Sequence, residues 1–570
     1  STGVDVRQRS GFGVQTDISI NGGTFDQITL LLNGVPLSNP QTGHNAADFP
    51  VSISDIDHIE ILEGSSARIY GSTAFSGAVN IVTRTTPRTG GRVNVEGGSF
   101  GTFGGNAAIS WNPSASLQQQ LSGGYMQSDG GTANSDFRKR RGFYQGGFNS
   151  PFVRLNWQAG ITSQDFGANT FYSSRFPNQY EATRRYIASA SASVRPFARS
   201  ANATAASFEI KPMNYDHFQL TRGKTGARAG ENYHRLDVYG AAIDLNLSWL
   251  LGKTAIGADV RKEHIMSTAY GQLLDSAQWQ AIKGTDRAYN KRGDRTNTSL
   301  FLEHNVVLNK VTISAGIMAN RNTALDNDFR FYPGIDISYR PNDHWRLYAG
   351  WNKALRVPTF TDLFTDNSAQ QGNPDLKPER NSAFKIGSRF TTTGIEALAT
   401  MFYSRGRNMI DWVYETAAST RYHALNIGKL NNMGFSTEVR LNLSHLLFSQ
   451  AETTRQPVLM KVGYAYIHQK HTTDQPIHRS LYALEYLRHK VVVELSHPIV
   501  GHLSASWALR WQQRMNGYKP YAKLDGKLTW HEPHWQLYLK ADNLTCHRYY
   551  DLGSVLQPGL WIMAGAGITL

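Results

Sequence analysis

The feature that most constrains this chain is a strict alternation of apolar and polar residues. It comes in segments of about nine residues, broken by clusters of Gly, Asn, Asp and Pro, and repeats from about residue 90 to the end. In one segment Phe435, Val439, Leu441 and Leu443 share a face with Thr437, while Ser436, Glu438, Arg440 and Asn442 take the other. Leu503, Ala505, Trp507, Leu509 and Trp511 repeat the pattern, as do Trp345, Leu347, Ala349 and Trp351, and Trp535, Leu537, Leu539 and Ala541. The last segment, Leu560, Ile562, Ala564, Ala566, Ile568 and Leu570, alternates up to the final residue. Such strands separate oil from water, and one that ends the chain can pair with the first and close a barrel.

No apolar run approaches the ~18 to 20 residues of a membrane helix, which excludes a helical membrane protein. A mean hydropathy of −0.41 does not argue for solubility, because barrel strands face lipid with every second residue only. Soluble sandwiches and propellers also alternate. Three features favour a membrane barrel over them: strand lengths suited to a tilted bilayer crossing, Trp and Tyr gathered at strand ends, and connections alternating between short and long. The predicted fold is a membrane all-β antiparallel transmembrane β-barrel of about 22 strands, with an N-terminal plug domain inside the lumen. The segments 167–185 and 269–295 are expected to be long extracellular loops, able to form a lid or to dock a surface-exposed substrate-binding lipoprotein.

Residues 1–87 read as a compact module with dense turn chemistry, for example Ile28 to Leu32 followed by Asn33-Gly34-Val35-Pro36. Pro87 and Gly90-Gly91 mark a boundary, giving a plug at 1–87 and a barrel at 88–570. The net charge of +14 favours anionic surroundings. Basic clusters such as Arg138 to Arg141 lie between Gly-rich strands without a nucleic-acid motif, so lipid headgroups, including lipopolysaccharide, are expected partners and nucleic acid is not. The single Cys546 can form neither an internal disulfide nor a multi-thiolate site.

The order Ile20-Asn21-Gly22, Ile28 to Val35, Ile59 to Gly64, Ala67 to Gly71 and Gly77 to Thr83 resembles the plug of TonB-dependent outer-membrane receptors. Arg356-Val357-Pro358, the run from Gly372 to Glu379, Asn543-Leu544 with Tyr549 or Tyr550, and Gln557-Pro558-Gly559 resemble the family's barrel. The resemblance spans the whole chain and implies active import across the bacterial outer membrane, powered by TonB and without an enzymatic step. Three departures stand out. Asn21-Gly22 replaces Arg-Gly, Asn33-Gly34 replaces Asp-Gly, and Glu63 replaces a basic residue, so the family's usual plug-to-barrel ion pairs are not expected here. Gly3-Val4-Asp5 resembles the middle of the family's plug, which implies a trimmed chain whose TonB-contacting segment is absent.

Within the family the likeness is greatest to cobalamin receptors, in Gly3 to Gly22 and Leu37 to Pro50. The loops 7–16 and 39–48 would form the plug's outward apex, with Arg9, Phe12, Gln15, Thr42, His44 and Asn45 as candidate ligand contacts. Gln15, Thr42 and Asn45 are neutral donors and acceptors, Phe12 is a flat apolar contact, and His44 adds a ring nitrogen. That set suits a large, nearly neutral, amide-rich corrinoid, whereas an anionic ferric siderophore would recruit more cations than Arg7 and Arg9. No cofactor or metal is expected, since His44 has no second ligand at metal spacing.

Two patterns are decoys. Gly97 to Gly101 matches a nucleophile elbow around Ser99, but alternating β-sequence follows where a helix is required. Gly64 to Gly71 lacks the Lys-Ser/Thr of a phosphate loop. The competing readings are a ferric-siderophore receptor, a passive porin, and a soluble β-protein with Ser99 as nucleophile.

Overall fold

The computed structural model describes residues 3–37, 39–44, 48–63, 75–85, 88–195, 205–223, 231–325, 327–447, 457–473, 476–481 and 485–570. The alternating segments form a closed antiparallel barrel of 22 strands. The first barrel strand, Gly90–Gly98, pairs with the last, Trp561–Thr569, from Met563 opposite Gly98 to Thr569 opposite Arg92. Closure leaves no unpaired strand edge in lipid, where an unmet backbone group costs several kcal/mol.

Period two sets the two faces of the wall. Leu121, Ile161, Phe208, Ile243, Leu300, Ile337, Phe384 and Leu539 are exposed on the outside, forming the apolar band. Gln120, Gln145, Gln158, Thr183, His217 and Glu303 are buried on the inside. At one end several hairpins turn within two or three residues, as at 115–116, 250–251 and 501–502. Exposed Trp249, Tyr339, Trp345, Trp530 and Trp535 lie beside the turns at this end, as an interfacial girdle requires. The other end carries the long connections, notably 268–290, 357–378, 408–428 and 543–560, and this is the extracellular rim of such barrels.

Two of the expected loops are shorter than the sequence reading placed them. Strands Val153–Gly167 and Gln179–Val194 leave only 168–178 between them. Strands Gly252–Ser267 and Lys291–Val307 leave 268–290. Strands here run past the hydrocarbon zone, and beyond it the lipid face no longer has to be apolar, so alternation fades before pairing does. The elbow-like Ser99 sits in the turn after Gly98, where its Oγ accepts from the Ile562 amide at 3.0 Å. It serves as a seam contact.

The plug fills the lumen. Strands β1 (Val4–Arg9) and β2 (Gln15–Ile20) form a hairpin. A four-stranded sheet follows, ordered β4 (Val35–Pro36), β3 (Ile28–Leu32), β6 (Gly77–Thr83) and β5 (Ile56–Leu62). β3 is buried along its whole length, which is why it reads as a continuous apolar run. Its Leu32, with Leu37, Val51 and Ile81, packs against the wall residues Phe143, Met213, Tyr215 and Leu236. The resemblance motif at 67–71 and Pro87 lie outside the described residues.

Candidate ligand site at the plug apex

Arg9 and Asp17 organise the outward end of the plug. The Arg9 guanidinium is fully buried. It donates to Asp17 Oδ2 at 2.9 Å and to the Phe171 carbonyl at 2.6 Å, and it lies over the Tyr172 ring at 5.2 Å. The other oxygen of Asp17 lies 3.0 Å from His44 Nδ1. Burial opposes ionisation of Asp17, yet the Arg9 charge and the His44 contact hold its carboxyl well below the ordinary range. His44 is pushed down by burial and by Arg9, so it stays neutral at pH 7. Its Nδ1 lies within hydrogen-bond reach of both Asp17 Oδ1, at 3.0 Å, and Arg9 Nη2, at 3.1 Å. The ring also stacks on Phe25 at 4.2 Å.

The six predicted apex residues therefore separate. Thr42 and His44 line one cavity, of about 260 Å³, together with Gln41. Arg9 and Gln15 are buried supports; Gln15 donates to the Tyr172 hydroxyl at 3.0 Å. Phe12 lies some way off, edge-on to Trp561 at 4.7 Å, and lines a second space of about 460 Å³ between plug and wall. Asn45 lies outside the described residues.

The rest of the first cavity comes from the barrel and was not anticipated from the sequence. Tyr172 and Phe176 come from the connection 168–178, Gln179, His217, Gln219 and Asn232 from strand ends, and Tyr270, Thr361, Thr365 and Trp412 from other long connections. A short helix, α1 (Phe360–Phe364), carries Thr361 to the apex loop. There the Thr361 amide and hydroxyl both donate to the Gln41 carbonyl, at 2.9 and 2.7 Å. Among the described residues lining this cavity there is no Asp, Glu, Lys or Arg. Amides, hydroxyls, aromatic rings and two imidazoles present directional donors and acceptors to this space. The one available signal was the density of Gln, Asn and Thr near the long connections, as in Gln370-Gln371-Gly372-Asn373.

Below the apex the plug is tied to the wall with a uniform polarity. Among the described residues, every plug-to-barrel ion pair has its acid on the plug and its base on the barrel. Asp5 meets Arg514 at 2.8 Å, Asp26 meets Arg356 at 2.6 Å, Asp48 meets Arg185 at 3.1 Å and Asp55 meets Arg92 at 2.7 Å. Glu63, which also accepts from Asn21 at 2.6 Å, pairs with Lys385. The two departures at Asn21 and Glu63 are thus partners in one contact. The Arg356 group is the most crowded, since Asp362 at 3.1 Å and Glu379 at 2.9 Å share the same guanidinium, and Gln27 donates to Glu379 at 2.9 Å.

Asp26 is pushed up to about 7, chiefly by burial, with Glu379 and Asp362 adding to the effect and Arg356 opposing it. A raised carboxyl binds its proton more tightly when the plug is docked. Its stabilising share is present below the ordinary 3.8 and is lost as pH rises through about 7. Asp5 behaves oppositely: burial opposes its ionisation, but Arg514 holds it below the ordinary range, so its share is lost as pH falls below 3.8. Plug release, read by protease cleavage of plug residues, is therefore expected to increase as pH rises from about 4 to 7, and to increase again as pH falls below 4. Asp26→Asn should remove the upper limb alone.

Fold and site together define a plugged outer-membrane receptor. The chain matches the family model for the TonB-dependent receptor plug domain over residues 1–78 and the TonB dependent receptor-like β-barrel over residues 83–544. It belongs to the TonB-dependent receptor family, whose members lie in the outer membrane. It is 22% identical over 447 residues to the vitamin B12 transporter BtuB of Photobacterium profundum and 23% identical over 428 residues to that of Vibrio vulnificus. In both cases the match covers 72% of this chain and 63% of the relative. Solved structures with the same fold include the siderophore receptor PirA from Acinetobacter baumannii (TM-score 0.76, 16% identity, 100% of this chain and 94% of that one). The copper transporter OprC is another (TM-score 0.79, 16% identity, 100% and 94%).

Proposed function

We propose that the protein imports a large, neutral, amide-rich nutrient, a corrinoid such as cobalamin, by TonB-driven rearrangement of the plug. The observation that carries this reading is the uncharged lining of the apex cavity. Neutral amides on a ligand find partners in Gln41, Thr42, Gln219, Asn232 and Thr361, and its apolar faces find Tyr172, Tyr270 and Trp412. An anionic chelate would be stripped of water there without meeting a compensating charge. The likeness to vitamin B12 transporters over 72% of the chain points the same way. A corrinoid is wider than the cavity, so its amide edge enters first and the segments 168–178 and 357–378 part around the remainder. The plug contains no nucleotide motif, and energy is supplied through TonB.

Equilibrium titration tests this reading. Cyanocobalamin is expected to bind with micromolar or better affinity, and a trianionic ferric catecholate at least a hundredfold more weakly. The reverse order, or no detectable cyanocobalamin binding, would refute it.

A further inference from the structure

The apex cavity has a counterpart lower in the lumen. A space of about 420 Å³ lies near the short turns, under the plug's Asn33-Gly34 turn. Four adjacent strands, Leu117–Ser128, Phe137–Asn149, Val153–Gly167 and Gln179–Val194, form most of its wall. Register sets Gln120, Gln145, Gln158 and Ser189 side by side in one lumen-facing row, about 14 Å long. The next row toward the turns holds Gln118, Gly147, Asn156 and Ser191. Among the described residues lining this space the one charged side chain is Glu209, which pairs with Lys211 at 3.4 Å. Against another sector of the wall the plug faces a space lined by Glu63, Asp336, Arg346, Lys353 and Lys385. A run of amides is therefore a property of this sector and not of the lumen as a whole.

The strand Gln179–Val194 links the two spaces. Its lumen face carries Gln179 at the apex cavity, then Ile187 in the apolar cluster of Leu32, Leu37 and Ile81, then Ser189 and Ser191 below. From Gln179 to Ser189 is about 33 Å of strand. Polar, amide-bearing wall thus lies on both sides of one apolar seal. Below that seal the plug already sets a carboxamide against the row of glutamines. Asn33 Nδ2 donates to Gln158 Oε1 at 2.9 Å and to Gln145 Oε1 at 3.4 Å. Gln120 Nε2, one place further along the row, is buried and has no hydrogen-bond partner among the described residues. A buried donor without an acceptor marks a place that a carbonyl oxygen would fill. Resting on the reading that the solute is neutral and amide-rich, we infer that this glutamine ladder is a second binding site for its primary carboxamides, on the exit side of the seal. Asn33 stands in for a ligand amide there while the plug is docked, and movement of the plug hands Gln145 and Gln158 over to the solute.

The test is equilibrium dialysis of the whole chain in a neutral detergent, with both mouths of the barrel open and cyanocobalamin as the probe. Asn33→Gly keeps the left-handed backbone of this turn, where φ is 51°, and removes the competing carboxamide. It should bind a second equivalent at least tenfold more tightly than the wild type does, with the first equivalent unchanged. Adding Gln118→Leu and Gln120→Leu to Asn33→Gly should abolish the second equivalent alone, whereas Asp17→Ala in the same background should weaken only the first. A corrinoid whose side-chain amides are hydrolysed to carboxylates should not take the second place. Protease resistance of the plug and compact gel mobility of the barrel are read on each variant. Should Asn33→Gly release its plug, the bared wall is expected to bind the second equivalent all the same, and to lose it with Gln118→Leu and Gln120→Leu. A first equivalent without a second in Asn33→Gly would overturn this site and leave the apex reading standing. So would a second equivalent indifferent to Gln118→Leu and Gln120→Leu, or one taken equally by the carboxylate corrinoid. No binding of cyanocobalamin by any form would overturn both.

Discussion

Replacing Arg356 by alanine is expected to detach the plug from the barrel wall without opening the barrel itself. The guanidinium is buried, and it is shared by Asp26 of the plug and by Asp362 and Glu379 of the barrel. Removing the only cation from such a group leaves buried carboxylates unpaired, at a cost of about 3–5 kcal/mol. Some of that cost can be escaped by protonation, so the defect should be deepest at pH 8 and shallower at pH 6. Arg356→Lys keeps the charge but loses the fork that engages Glu379 through both Nε and Nη2, and should fall between. The readout is the urea concentration at which plug residues become protease-sensitive, compared with the concentration at which the barrel loses its compact gel mobility. A variant whose plug and barrel midpoints both match the wild type would show that this group does not hold the plug.

The second large effect is expected at Asp17. Asp17→Ala removes the carboxylate that faces the fully buried Arg9 and frees His44 from its orientation. The cost is again about 3–5 kcal/mol, but here it falls on the apex. Cyanocobalamin affinity should drop at least tenfold, while the protease profile of the Arg356 region stays as in the wild type. Asp17→Asn, which keeps an acceptor for Arg9 but not the charge, should lose less. Unaltered affinity in Asp17→Ala would separate the Arg9–Asp17–His44 group from ligand binding.

Much of this architecture is legible in the amino-acid sequence, for physical reasons. Inside lipid every backbone group must be paired and every second side chain must be apolar, so strands such as Trp345 to Trp351 are written into the sequence as alternation. That constraint ends at the headgroups, which is why the strand residues Gln179 to Arg185 read as loop. The plug's small sheet shows as the buried run Ile28 to Leu32, whereas its identity depends on the order of several glycine-flanked motifs.

The apex was harder to read, because a cavity closed by residues as distant as Gln41, His217 and Trp412 leaves no local pattern. Arg9 and Gln15 look like exposed loop residues in sequence, since nothing nearby reveals that Asp17 and Tyr172 will bury them. Glu63 and Asn21 were visible as departures, but not the Lys385 that makes sense of them. Charge at a position can be read from sequence; the partner that neutralises it comes only with the fold.

The most direct test of the account is the ionic conductance of the intact chain in a planar bilayer. A plug filling the lumen, packed through Leu32 and Leu37 and tied to the wall by its acids, predicts essentially no current at pH 6 without urea. It also predicts large steps when urea releases the plug, and silence again when the urea is withdrawn. Steady porin-sized steps from the untreated protein would contradict a closed, plug-gated receptor.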